Sequence, residues 1–424
     1  MKRCPVLILG CIPRIILPVA RSLQRRGISV DLASFSPSLS ISSRAISAYR
    51  SVSRPDLARG EFVQQLRDFI LERGHDMLVI TDDWMLTAVV EHYESLAELL
   101  HISCPPPEIA RRVLRKPETL RIAARYGIAI PRTETIWNST ELHDRLGALP
   151  FPWVVKPAWR ETRTEEFKSW VLMSADEVVR KFPVGCNFSP PLLMQEYCGG
   201  AGVGLEMLML GGDCIALFQH RRLKELPYTG GVSVTAVAET PDQNLMHCSL
   251  ALLRALEWEG PAMVEYKVGH EGMPVLMEVN GRYWGTIGLA ISSGVDFPFY
   301  HWQLMHGETP DVPPAYKVGT KWRSTVDYIW RLHNLIDLAQ AGSSAARQTL
   351  WDDLRTLGSD FRWSVRDATF RASDPAPWLL EVVRALQHIL TQGTGRISRW
   401  LKRCIQFPTS KPRWKQEDIR EASP

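Results

Sequence analysis

Along the first hundred residues the apolar positions switch between short unbroken runs and helical spacing. Val6–Gly10, Ile28–Ala33 and Met77–Thr81 are runs of strand length, apolar enough to be covered on both faces. Between them, Ile15–Arg26 and Glu61–Arg73 read as helices, and Gly27 suits the position just past a helix end. This alternation predicts a parallel sheet with right-handed crossovers, a Rossmann-like domain over residues 1–105. The first turn, Gly10-Cys11-Ile12-Pro13-Arg14, has one glycine where a dinucleotide site needs three, so NAD and FAD are not expected.

The pattern changes at Cys104-Pro105-Pro106-Pro107. Arg115-Lys116-Pro117-Glu118 opens a helix with proline in its first turn, ending at Gly127. Strands then dominate: Phe151–Lys156, Leu192–Tyr197, and Leu205–Leu210 with Cys214–His220 around a Gly211-Gly212 turn. One further helix is predicted at Leu245–Trp258, and beyond about residue 315 the pattern is helical and rich in tryptophan.

Composition narrows the function. With 50 basic and 46 acidic side chains, the net charge of +4 is too balanced for nucleic acid as the main partner. The 8 cysteines are scattered without a C-x-x-C pair, which argues against a zinc site or a disulfide framework and for a reduced, cytoplasmic setting. No segment has the ~20 apolar residues of a membrane span. Val6–Ile12 follows Lys2 and Arg3, but Pro13 and Arg14 interrupt it, so a buried strand is preferred to a signal peptide. There is no Walker A motif.

The most informative segment is Ala262–Arg282, AMVEYKVGHEGMPVLMEVNGR. As a hairpin pairing Val268 with Val275, it sets Glu265 opposite Glu278, with Cβ atoms ~4.5–5.5 Å apart. Asn280 and, if the strand continues, Arg282 lie on the same face. Val264, Tyr266, Val268, Val275, Met277 and Val279 form the other, apolar face. Facing carboxylates repel, a bound cation relieves them, and oxygen donors suit Mg²⁺, with Mn²⁺ as a substitute. Two glutamates on a solvated face are the alternative reading.

Here the chain resembles the ATP-grasp superfamily, in which two carboxylates and an asparagine in an E-x-N-x-R motif hold Mg²⁺ on the phosphates of ATP. The motif stands as Glu278-Val279-Asn280-Gly281-Arg282, with Glu265 as the earlier ligand. The following Tyr283-Trp284-Gly285-Thr286 and Gly294-Val295-Asp296-Phe297-Pro298 are similar to the carbamoyl-phosphate synthetase-like group of carboxylate–amine ligases. Lys156, closing an apolar strand before Pro157, and Lys116, opening a helix, match the two phosphate-facing lysines of the family. A lysine at the end of a buried strand is costly unless it meets an anion. Leu193–Cys198 resembles the adenine hinge, with backbone contacts expected at Glu196 and Cys198; Glu206 matches a position that approaches the ribose. His220-Arg221-Arg222-Leu223-Lys224-Glu225 resembles the stretch near the transferred phosphate, with Arg222 and Arg282 as the catalytic arginines. One departure is the segment after Lys156, where Ala158–Lys168 has no glycine to cradle phosphates and offers Arg160, Arg163 and Lys168 instead.

The resemblance implies a two-lobed ATP-grasp domain over residues 106–315, with a lid lobe at about 150–200, and a helical extension at 316–424 ending in a basic tail. It implies an ATP-dependent ligase joining a small carboxylate to an amine through an acyl phosphate, with Mg²⁺. Carboxyphosphate chemistry and a nucleotide-binding pseudoenzyme remain as alternatives. A homodimer is compatible with this reading. In the tail, Ile397, Trp400, Leu401 and Cys404 among basic residues could touch an anionic membrane, but a docked helix end with a free tail is preferred.

Overall fold

A computed structural model describes residues 4–35, 39–148, 150–159, 169–269 and 272–392. Arg160, Arg163 and Lys168 of the glycine-free segment, and the basic tail from 395 onward, lie outside them. The first part of the chain runs β1 (Val6–Leu9), α1 (Pro13–Arg25), β2 (Val30–Ser34), β3 (Ala48–Ser51), α2 (Arg59–Arg73), β4 (Met77–Ile80), α3 (Asp83–Glu91), α4 (Tyr93–Ala97) and β5 (His101–Ile102). Its strands form a parallel sheet in the order β3-β2-β1-β4-β5. β1 reads as an unbroken apolar run because both its faces are covered: Leu7 and Leu9 enter one core, Val6 and Ile8 another. α1 starts on a proline, and the turn after it uses Gly27 at a φ of 74°. β3 and β5 are absent from the sequence pattern because β3 has no buried residue and β5 only Ile102.

Two short helices, α5 (Pro107–Leu114) and α6 (Lys116–Arg125), lead into a small lobe. That lobe comprises β6 (Thr133–Asn138), α7 (Ser139–Asp144), β7 (Trp153–Pro157), β8 (Trp170–Leu172), α8 (Ala175–Lys181) and β9 (Asn187–Glu196). Its antiparallel sheet has the order β6-β9-β7-β8, around a core of its own that includes Ile136, Trp153, Leu172 and Met194. The lobe therefore begins earlier than the expected residue 150. β6 escaped notice because Ile136 is its one fully buried residue.

The rest builds on β10 (Ala201–Leu210), β11 (Asp213–Leu226), β12 (Val232–Glu239), α9 (Gln243–Ala255), β13 (Gly260–Val268), β14 (Pro274–Asn280), α10 (Ile287–Ser293) and α11 (Phe297–Met305). After them come β15 (Lys321–Arg323), α12 (Thr325–Gln340), α13 (Ser344–Asp360), β16 (Arg366–Asp367) and α14 (Ala376–Gln392). The seven-stranded sheet has the order β14-β13-β10-β11-β12-β15-β16. Because β15 pairs with β12 and β16 with β15, the sheet runs across the domain border expected at 316. The extension also braces β11: Lys224 Nζ donates to the Tyr328 hydroxyl and Thr356 Oγ1, both at 2.7 Å, and to Asp360 at 2.5 Å. No helix among the described residues is long and apolar enough to cross a membrane.

In α14, burial pushes the Glu381 carboxyl up to about 8, against the hydrogen bond to Thr369. An unfolded chain releases this proton near pH ~4.3. The native state keeps it, so stability is undiminished below that pH and declines as the pH rises towards about 8. Glu381→Gln is therefore expected to raise Tm at pH 9 by at least ~2 °C and to give no gain at pH 4, as measured by scanning calorimetry at both values.

Candidate active site

β10, β11, β13 and β14 present one polar face. Glu265 on β13 pairs with Glu278 on β14, and Met263 with Asn280, so both carboxylates and the amide share that face as expected. The remainder of the expected register is corrected. A bulge after Glu265 pairs Tyr266 with Leu276 and Val268 with Pro274 rather than Val275. The parity of the returning strand flips there, and fully buried Leu276 takes the core position expected for Val275 and Met277.

Arg222 reaches this face from β11. It crosses β10 above Gly202, where a Cβ would lie 2.8 Å from its Cδ, so only glycine allows the passage. Its guanidinium then lies 2.7 Å from Glu265 and 3.2 Å from Glu225, and donates to the Gly231 carbonyl at 2.8 Å. Burial disfavours its charge, but Glu265 and Glu225 outweigh this and raise its pKa. Lys267 closes the row at 2.8 Å from Glu225.

Asn280 bridges two charged groups. Its Nδ2 donates to Glu265 at 3.0 Å, and its Oδ1 accepts from Arg282 at 2.8 Å. Arg282 is gripped by Asp83 at the start of α3, with Nε donating at 2.8 Å and Nη2 at 3.2 Å. Asp83 did not emerge from the sequence reading. The available signal was its place just past the carboxyl end of parallel strand β4, where open α/β sheets bind ligands. Asp82 beside it caps α3 by accepting from the Met85 amide at 2.9 Å.

Lys156 comes from the small lobe on β7. It is 9% exposed; burial lowers its pKa, while the nearby charges of Glu278, Glu265 and the Cys198 thiol group oppose the shift. Lys116, the first residue of α6, lines a narrow cleft with Asp83, Glu278 and Asn280. Both expected lysines thus converge on the carboxylate pair from different elements. Cys198 lies close by, half-buried, its thiol pKa raised by burial.

Two expectations are revised. The Glu196 amide donates to the Arg132 carbonyl at 3.0 Å and its carboxylate accepts from the Arg132 amide at 3.0 Å. That amide is committed to the sheet, so of the Glu196 backbone only the carbonyl could make the contact expected there. Glu206 is fully buried rather than open to a ribose. Its carboxylate lies 2.9 Å from His220 and accepts from Thr286 at 3.0 Å. His220 reaches it across Gly204, where a Cβ would lie 2.3 Å from the ring. Burial raises the Glu206 pKa, partly offset by His220 and Thr286.

Mg²⁺ fits this donor set. Two carboxylates face each other, offset in its absence by Arg222 on Glu265 and the charge of Lys156. Among the described residues no three His, Cys, Asp or Glu converge as a metal cage. Such a pair suits an ion that takes its remaining ligands from water and phosphate.

Residues 188–326, which include the hairpin, match a family described as ATP-grasp in the biosynthetic pathway with Ter operon. No curated protein sequence matches the chain. Similar solved structures include the L-amino acid ligase from Bacillus licheniformis, at 15% identity and a TM-score of 0.55, covering 72% of this chain and 74% of that one. The N5-carboxyaminoimidazole synthetase from Staphylococcus aureus complexed with ADP is 11% identical with a TM-score of 0.57, covering 76% and 82%. The biotin carboxylase domain of the Hydrogenobacter thermophilus 2-oxoglutarate carboxylase, solved with MgADP, ADP and bicarbonate, is 14% identical with a TM-score of 0.57, covering 76% and 74%. The fold and the matched segment agree: the chain shares the fold of these ATP-grasp structures, and its residues 188–326 match an ATP-grasp family.

Proposed function

We propose that the protein is an ATP-dependent ligase that joins a small carboxylate to an amine. The observation that carries this reading is the pairing of Glu265 with Glu278, with Asn280 beside them and Lys156 and Lys116 converging from other elements. The pairs Arg222–Glu265, Arg222–Glu225, Lys267–Glu225 and Arg282–Asp83 keep these side chains ordered before any nucleotide arrives.

In this reading Lys116 and Lys156 bind the ATP phosphates, and Glu265, Glu278 and Asn280 would hold Mg²⁺. The bound ion would screen the phosphate charge and fix its geometry. A substrate carboxylate oxygen attacks the γ-phosphorus, the bond to the ADP oxygen breaks, and an acyl phosphate forms. The amine nitrogen then attacks the acyl carbon, inorganic phosphate leaves, and the nitrogen loses a proton. Arg282, fixed by Asp83, orients the carboxylate or the transferring phosphoryl group, and Arg222 offsets charge at the same face. The Glu196 carbonyl and Cys198 backbone hold the base.

Lys156→Met keeps the apolar stem and removes the charge. ATP affinity is expected to fall at least ~10-fold, about 1.4 kcal/mol, while the Tm without nucleotide moves by less than ~3 °C. Calorimetric titration checks this, and equal ATP affinity in variant and wild type would refute the role. The reaction itself is tested by ADP release and hydroxamate formation with carboxylate panels, using hydroxylamine as the amine.

A further inference from the structure

At the opposite end of the large sheet, three chain segments line an open surface cavity of about 370 Å³. Its lining carries Lys317, Lys321, Arg362 and Arg366 together with the hydroxyls of Ser292, Thr320, Ser359 and Ser364, and no carboxylate. Among the described residues none of these four cations has an ion-pair partner. The acids next to lining residues in the chain are engaged elsewhere: Asp360 accepts from Lys224 and Tyr328, and Asp367 from Thr325.

The backbone that carries these cations is held firmly. The Lys317 amide donates to Ser293 at 2.8 Å, and the Ala238 amide to Thr320 at 2.9 Å. Arg323 Nη1 bonds the carbonyls of Asp360 at 3.2 Å and Val365 at 3.0 Å, fixing the turn that contains Arg362. Lys321 and Arg366 sit on the paired strands β15 and β16. Concave positive charge on a fixed frame concentrates anions, and lysine, arginine and hydroxyl donors match phosphate oxygens. The volume falls within the range of small-molecule sites. Trp363, between Arg362 and Ser364 in the chain, is 93% exposed. β14 and β15 are separated by four strands, a distance of about 24 Å at ~4.8 Å per strand, so this is not the nucleotide cleft.

We propose that this cavity, formed where Lys317, Lys321, Arg362 and Arg366 converge, binds a small polyanion bearing phosphate groups. Free phosphorylated molecules and lipid headgroups share that chemistry, and the test separates them. Inorganic pyrophosphate is titrated calorimetrically at low salt into the full chain carrying Lys156→Met, which suppresses binding at the nucleotide cleft. Binding that weakens with added salt is expected. Adding R362A and R366A should lower affinity at least ~10-fold, because two of the four phosphate-facing cations are lost. R362K with R366K should retain binding and folding. In parallel, sedimentation with phosphatidic acid and phosphatidylcholine vesicles identifies a headgroup source if only the former binds, and binds through the same arginines. The proposal is overturned if neither pyrophosphate nor phosphatidic acid binds, or if binding ignores R362A and R366A.

Discussion

Glu278→Gln is expected to lower ATP-dependent turnover by at least ~10³-fold while the fold survives. The substitution keeps size and removes one of the two facing carboxylates, so it reduces repulsion with Glu265 and also removes a negative charge near buried Lys156. These effects oppose each other, and the Tm without nucleotide should move by less than ~3 °C. The loss should lie in the chemical step and in the Mg²⁺ dependence of ATP binding. ADP-release assays with scanning calorimetry separate these outcomes. A large drop in Tm would make Glu278 a structural residue and remove it from the metal site.

Arg222→Met should be the most destabilising of the site variants. Arg222 is nearly buried between Glu265 and Glu225, with its side chain 11% exposed. Removing a cation from such a pair leaves two carboxylates without their compensation. The fully buried case costs about 3–5 kcal/mol; with partial exposure about 2–4 kcal/mol is expected, a Tm fall of ~2–5 °C. Arg222→Lys should recover part of the loss, since it restores charge without the planar fork. A Tm within ~1 °C of wild type for Arg222→Met would contradict the balanced network. In the proposed reading that network would supply cations for phosphate and carboxylates for metal, and its mutual pairing holds both in place.

The legible parts of the site were those set by short-range periodicity. The period of two along Ala262–Val268 and Glu278–Asn280 was enough to set Glu265 across from Glu278. It failed at Val275-Leu276-Met277, where three successive apolar residues carry no parity and the bulge decided which one faces inward. Glu206 could have faced either side of its strand on sequence grounds. Its burial follows from His220 crossing Gly204, a match between strands. The grip of Asp83 on Arg282 joins residues 199 apart, and no local pattern encodes such a contact. β15 and β16 span three and two residues, too few for a period to appear, so the continuity of the sheet into the C-terminal region emerged only in three dimensions.

The central claim is that Glu265, Glu278 and Lys156 together form a Mg²⁺–ATP site. The most direct measurement is calorimetric titration of ATP with Mg²⁺ and with a chelator, on wild type and Glu278→Gln. Mg²⁺ should strengthen ATP binding at least ~10-fold in wild type and less than ~2-fold in the variant, a difference of about 1 kcal/mol between the two Mg²⁺ effects. ATP binding that responds to neither Mg²⁺ nor the loss of the Glu278 charge would contradict the account.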